Sequence, residues 1–592
     1  MLYGRRARRI TTSALVAVSA AGLLSIAPDA LADRRPVPRG RPSVPLRGSA
    51  ALATKLSPQA ARFRAQQLTW RDCIDRSAEP GLAAEYYRLQ CATLTVPLDW
   101  SAPDGSTIDV AVSRLPATAN SAAPALFTNP GGPGGAGIDL PLLFVSDGRK
   151  QLTRSQDIYG MDVRGTGDSA NVTCGGSSST LLDPRDRSTA NLDLILDAAQ
   201  LHARSCDLAG GALIDHVTTD QTVRDIDLLR SVVGAAKLNW IGFSAGTWLG
   251  AQYATAYPQN VGHMVLDSNV DFTATWQQAL ARQPAGFQRR FSKDFLPWTA
   301  KYHSIYHLGS TASAVQASYE RIRAGLQPAV PIDSAVTLDD LLAGSLYSKG
   351  LFPLAASVLS DLNAFLVAQQ ARNTRLMSLT RNRVTAALPL LRRSGVAQPF
   401  ASDASDAAFL AVTCNDTPWT ESRDDLLANS AIAGADYPLI GWAGVDEPCA
   451  FWHRPDVTTP VPSGAGVPPV LMVQSVNDPA TPIEGARAAA AAFAGARLLV
   501  VTKEGDHGLY AGGNSCVDKA VESFVLDGTL PAEGATCAGR PLPKPSSSSF
   551  AAAARPGAGS GYAVRSVGGS ALVPPPGTNP LVALRSLGAL TH

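Results

Sequence analysis

Neither sign of charge dominates this sequence of 592 residues: 51 Lys and Arg stand against 49 Asp and Glu, a formal charge of +2. A nucleic-acid partner is therefore not expected, because polyanion binding needs a clear cationic excess. The eight cysteines contain no C-x-x-C pair, which argues against a thiol redox centre or a zinc ribbon. The apolar run Ala14 to Leu24 falls short of the ~20 residues of a membrane span, and no later stretch is expected to qualify. No G-K-[ST] follows a glycine-rich stretch, so a phosphate loop is excluded. His303 and His307 are spaced i, i+4, but Ser304-Ile305-Tyr306 between them lacks the glutamate of a metalloprotease, and surface or packing roles fit them better. No cofactor, metal or stable membrane anchor is expected.

What is present is segregated. Residues 1–32 carry a net charge of +3, residues 33–57 of +5 and residues 541–592 of +4, which leaves −10 for the body, 58–540. Arg5, Arg6, Arg8 and Arg9, the following apolar run and Ala30-Leu31-Ala32 have the order of a secretory signal, with cleavage expected after Ala32. Residues 33–57 read as a propeptide or disordered arm, and 541–592 as a low-complexity, disordered tail. An exported chain with an even cysteine set implies disulfides, the simplest scheme being sequential: Cys73–Cys91, Cys174–Cys206, Cys414–Cys449 and Cys516–Cys537.

Short apolar runs followed by Gly, Pro or Asp predict strands at 92–98, 107–115, 125–128, 157–163, 238–242, 262–267, 470–475 and 497–502. Helical patterns between them, such as Gln221 to Val233 and Ala245 to Tyr257, predict an α/β fold with a largely parallel sheet and helices on both faces. Residues 272–408 break the alternation and read as a helical insertion, with a capping box expected at Thr337 to Asp340. The core is thus split into 58–271 and 409–540.

Leu238-Asn239-Trp240-Ile241-Gly242-Phe243-Ser244-Ala245-Gly246 runs from an apolar strand through G-x-S-x-G into a helix. A serine in so sharp a turn projects from the sheet, and glycines on either side remove the side chains that would clash. Its hydroxyl needs a base and an orienting carboxylate, which follow in this architecture in the order Ser, Asp, His. Asp478 lies after the strand 470–475 and His507 after 497–502, at the same sheet edge; the neighbouring Asp506 reads as a turn residue. Upstream, Asn129-Pro130-Gly131-Gly132-Pro133-Gly134-Gly135-Ala136-Gly137 follows another strand, and its bare backbone suits an oxyanion hole formed by the N–H groups of Gly132 and Ala245. These residues by themselves imply a serine hydrolase.

Together with Asp162-Val163-Arg164-Gly165-Thr166-Gly167-Asp168-Ser169 and the stretch from Cys414, these motifs make residues 72–537 resemble the secreted tripeptidyl aminopeptidases of actinobacteria, in the proline-iminopeptidase branch of the α/β-hydrolases. The resemblance implies an α/β-hydrolase fold with a helical cap and an extracellular or envelope-associated exopeptidase. Its substrates would be free peptide or protein N-termini, from which it releases short peptides, commonly tripeptides, with Ser244, Asp478 and His507 as triad. Asp162 and Arg164 would line the site or form a structural ion pair. An exopeptidase needs a carboxylate for the substrate ammonium, and Asp333, Asp339, Asp340, Asp446 and Glu447 are candidates. The alternatives are a secreted esterase or lipase with the same triad and a catalytically inactive binding protein.

Overall fold

The computed structural model describes residues 58–77, 81–119, 124–176, 180–326, 332, 334–391, 403–545, 563–566 and 569–572. The expected signal (1–32) and arm (33–57) lie outside the described residues. Ten strands form one sheet: β1 (Arg71–Asp72), β2 (Gln90–Pro97), β3 (Thr107–Leu115), β4 (Ala125–Asn129), β5 (Ile158–Met161), β6 (Leu238–Phe243), β7 (Val261–Asp267), β8 (Val470–Ser475), β9 (Ala496–Thr502) and β10 (Thr536–Ala538). The spatial order is β1-β2-β3-β5-β4-β6-β7-β8-β9-β10; the first three strands are antiparallel and the rest of the sheet is parallel. β1 and β10, of two and three residues, are too short to leave a periodic signal.

All six residues of β6 are buried, so its apolar residues run on where a half-exposed strand would alternate. Phe127 and Trp240 enter one core with the helix Ala245–Ala256, and Leu126, Ile241 and Phe243 the core on the other face. β4 and β6 are neighbours, but the chain runs on from β4 to β5 on one side and from β6 to β7 on the other. This opens a crevice beyond the carboxyl ends of β4 and β6, the usual ligand position in such sheets.

The insertion is helical and has its own core, in which Phe287, Phe291, Phe295, Trp298, Phe352 and Phe365 pack together. The expected capping box is displaced: the helix Ala335–Ser345 is capped by Ser334, whose side chain accepts from Thr337 N, and Asp339 is held by Arg323 and Tyr319. The expected boundary at 408/409 falls inside the helix Ala404–Asp416, whose Ala407, Ala408, Leu410 and Ala411 belong to the core beneath the sheet. The expectation of no further span-length segment also needs correction. Lys349–Gln370 is long and apolar enough to cross a membrane by length and composition, although half of its apolar window is buried within the protein. Within the expected tail, Ala563–Ser566 and Gly569–Leu572 pair as antiparallel strands. The four disulfides join the cysteines in sequential pairs: 73–91, 174–206, 414–449 and 516–537.

Candidate active site

Ser244 stands between β6 and the helix Ala245–Ala256 with φ 55° and ψ −126°, a left-handed backbone that a non-glycine residue holds only when its surroundings impose it. Here they do. Ser244 N donates to Asp267 O (2.9 Å), and Thr247 N and Oγ1 donate back to Ser244 O (2.8 and 2.6 Å). A Cβ on Gly242 would come within 2.3 Å of Gly246 O, and one on Gly246 within 2.8 Å of Asn129 O, so both glycines are sterically required.

The glycine-rich loop after β4 presses on the same turn. Gly131, at φ 92°, has no room for a Cβ, which would lie 2.3 Å from Phe243 O and 2.8 Å from Ala245 N. Gly132 and Ser244 both line a cleft whose other walls include Val270, Trp276, Leu280, Ala480 and Pro482. The far end of the loop hangs from Asp162, which accepts from Gly137 N (2.7 Å) and Ile138 N (2.9 Å). Asp162 and Arg164 do not pair with one another. The buried Arg164 binds both oxygens of Asp225 (2.7 Å each) and the carbonyls of Pro97 and Leu98, tying the sheet edge to the helix Thr219–Val232.

Asp478 and His507 meet beyond β8 and β9. His507 Nδ1 lies 2.9 and 3.0 Å from the two Asp478 oxygens, and both side chains are buried. Asp478 Oδ1 also accepts from Ala480 N (3.0 Å) and Thr481 N (2.9 Å). A carboxylate at Nδ1 assigns the proton to that nitrogen, which makes Nε2 the nitrogen able to accept one. Asp267 joins this half to the other: its carbonyl receives Ser244 N, and its carboxylate receives Leu509 N (3.0 Å) and Tyr510 N (2.7 Å), just after His507.

The cap supplies the remaining restraints. Tyr347 O accepts from His507 N (2.9 Å), and the Tyr347 ring stands edge-on to the imidazole at 5.3 Å. The buried Arg290 reaches Asp506 (2.6 Å) and Asp294 (2.6 Å); the buried Lys349 reaches Glu504 (2.5 Å), while its backbone N–H bonds Asp506 (2.7 Å). Burial raises the Glu504 carboxyl, but the Lys349 ammonium and the N–H groups of Gly505 and Asp506 together hold it below its ordinary value. Asp506 stays raised, by burial first and then by the charge of Glu504. Asp506 is thus a bridge to the cap and more than a turn residue. Arg290, Tyr347 and Lys349 left no local sequence signal, whereas Asp267, a charged residue ending a buried strand, left one that could have been read.

The amine-anchor candidates separate. Asp339 is engaged by Arg323 (2.8 Å) and Tyr319, and Asp333 lies outside the described residues. Among the described residues no cation bridges to Asp340, Asp446 or Glu447. Burial, and then the charges of Asp339 and Asp446, raise the half-buried Asp340 to about 7, and crowding by the protein raises Asp446 to about 6 although that residue keeps an exposed surface. Burial raises Glu447 to about 8, although Cys449 N donates to it. The cluster Cys174, His202 and Cys206 has metal-like spacing, but its sulfurs are bonded to one another. His303 and His307 pack edge to face, and His303 Nδ1 accepts from Gly309 N.

A family model described as α/β hydrolase fold matches residues 124–310, and one described as TAP-like protein matches residues 437–537. The chain is 32% identical to a tripeptidyl aminopeptidase of Streptomyces coelicolor, with 82% of this chain and 88% of that protein covered. It is 29% identical to the serine protease Hip1 of Mycobacterium tuberculosis, over 80% of this chain and 91% of that one. It is 28% identical to a protein named carboxylesterase B from the same species, over 80% and 90%.

Proposed function

We propose, for a chain that belongs to the tripeptidyl aminopeptidase family of α/β-hydrolases, that Ser244, His507 and Asp478 carry out its peptide hydrolysis through an acyl-enzyme. The chain is a serine exopeptidase. In the proposed mechanism His507 Nε2 takes the Ser244 proton as Oγ attacks the scissile carbonyl, and returns it to the leaving amine. Asp478 orients the ring and stabilises its charged form. The N–H groups of Gly132 and Ala245 receive the oxyanion, and a water activated by the same imidazole then releases the acyl product. The observation that carries this reading is His507 Nδ1 seated on both oxygens of Asp478 at the sheet edge that holds the strained Ser244 turn.

Removal of an N-terminal tripeptide places the substrate ammonium about 10 Å from the attacked carbonyl, the reach of three extended residues. Asp340, Asp446 and Glu447 are the carboxylates we propose for it, as raised acids without a cation of their own among the described residues. Binding then needs an ionised carboxylate and a protonated amine. KM should fall as pH rises through the carboxylate range of about 6 to 8 and rise again above about 8, where the free α-amine loses its proton. Residues 1–32 and the four disulfides support export.

The test is a peptide ladder with free amines beside its N-acetyl twin, read by mass spectrometry. Release in three-residue steps from the free ladder alone is expected. Equal cleavage of both would favour the esterase or endopeptidase reading, and labelling by a serine-directed phosphonate that Ser244→Ala does not abolish would refute the nucleophile.

A further inference from the structure

Charge is distributed unevenly within the cap. Residues 362–402 hold six arginines and no lysine or acidic residue, whereas the rest of residues 58–540 carries a net charge of −16. Four of these arginines, Arg372, Arg375, Arg381 and Arg383, lie on one supersecondary unit: the helices Phe352–Gln370 and Thr374–Leu391, joined by a turn at Ala371–Asn373 with Arg372 at φ 54°.

The two helices differ in what they bury. The first packs Phe352, Val358, Leu359, Leu362 and Phe365 into the cap core. The second buries Thr380, Val384 and Leu388 at i, i+4 spacing, flanked by the half-buried Leu376, Met377 and Ala387. The face that carries Arg375, Ser378, Leu379, Asn382 and Arg383 is exposed. Arg375, Leu379 and Arg383 follow one another at i, i+4 on an exposed face, and Arg372 precedes them from the turn. Leu379 is 47% exposed, and Val367, near the end of the first helix, is 56% exposed. Arg383 reaches Asp361 at 3.4 Å while remaining 56% exposed, Arg381 lies over the Phe365 ring, and no ion pair to Arg372 or Arg375 occurs among the described residues.

Arginines alone would fit any polyanion. Large aliphatic side chains exposed among them, on a helix that buries one face, fit a surface with both a charged and an apolar layer. We propose that this hairpin docks the enzyme on an anionic phospholipid surface, with Arg372, Arg375 and Arg383 at the headgroups and Val367 and Leu379 entering the boundary beneath them. The acidic remainder of the body is repelled by the same surface, which orients the molecule with the hairpin foremost.

The test is co-sedimentation of the whole protein with vesicles of phosphatidylcholine alone and with phosphatidylglycerol added, across a salt titration, with peptide turnover measured in parallel. Binding only to the anionic vesicles, weakening as salt shortens the screening length, is expected. At about fivefold per arginine near the surface, Arg372→Gln/Arg375→Gln should weaken partition about 25-fold with turnover unchanged. The basic ends of the chain are common to all variants, so this difference belongs to the hairpin. Val367→Ser/Leu379→Ser should remove the binding that persists at high salt. Absence of vesicle binding, equal binding to both vesicles, or undiminished binding by the arginine variant would overturn the proposal. Equally tight binding to soluble polyglycerol phosphate, unaffected by the Val367 and Leu379 changes, would overturn it in favour of an anionic polymer.

Discussion

The two halves of the proposed catalytic site are built by different means. The nucleophile half is made of backbone: Gly131, Gly242 and Gly246 leave no space for side chains, and Ser244 is fixed by bonds to Asp267 and Thr247 from adjacent structure. The base half is made of charge: His507 sits among Asp478, the Glu504–Lys349 pair and the Asp506–Arg290 pair, and both cations come from the cap. Steric exclusion acts between residues adjacent in the fold and is insensitive to pH. A buried ion pair joins distant segments, but its stability depends on the ionisation of both members. The cap is thus part of the support of the proposed base, His507.

The largest expected effect leaves this contrast intact: Ser244→Ala should reduce turnover by about 10⁵-fold or more without altering the circular dichroism spectrum, and adding His507→Ala should cost little further, because triad members act as a unit. Near-normal turnover by His507→Ala alone would show that the base half is misassigned. Next, Lys349→Met leaves Glu504 as an uncompensated buried carboxylate and should destabilise the protein by about 3 to 5 kcal/mol in denaturant unfolding, whereas Lys349→Met/Glu504→Gln should recover most of it. If both variants are equally stable, the cap does not support the base by charge.

The same pair predicts a pH signature. A carboxylate depressed in the folded state contributes its stability above its unfolded pKa, about 4.3, and loses it as pH falls through the lower folded value. Wild type should therefore lose stability on acidification below pH ~5 more steeply than the Lys349→Met variant, in thermal melts across that range. Replacing Cys414 and Cys449 by Ala opens a loop with a sequence separation of 35, for a loss of about 3 to 4 kcal/mol in the chain-entropy account, with turnover at low temperature little changed. The smallest effect sharpens the comparison inside the base half. Thr481→Val removes a hydroxyl 3.3 Å from His507 Nδ1 and should cost about 1 kcal/mol, seen as a several-fold fall in kcat with KM unmoved.

Legibility followed the same division. The Ser244 turn could be read directly, because a strained strand-to-helix turn needs its glycines within two residues of the serine. Asp478 and His507 could be placed by chain order and by the strands they follow, and the fold by its alternation of strand and helix. Arg290 could not be found in this way: 216 positions separate it from Asp506, and a buried arginine has no periodicity. The capping box misled because Thr337 and Asp340 have the right spacing, while Ser334, one residue before the helix, holds the cap.

The sequence by itself determined the sheet and the strained serine turn, and it supplied the acid and base proposed here, because these rest on short segments whose steric and hydrophobic demands are local. Only the tertiary structure decided which carboxylates are neutralised and which are left without a cation, since that depends on which chain segments meet in the low-dielectric interior. Asp339 and Asp340 are neighbours in sequence, yet one is held by Arg323 and the other faces no cation among the described residues, a difference set by the helix packed beside them.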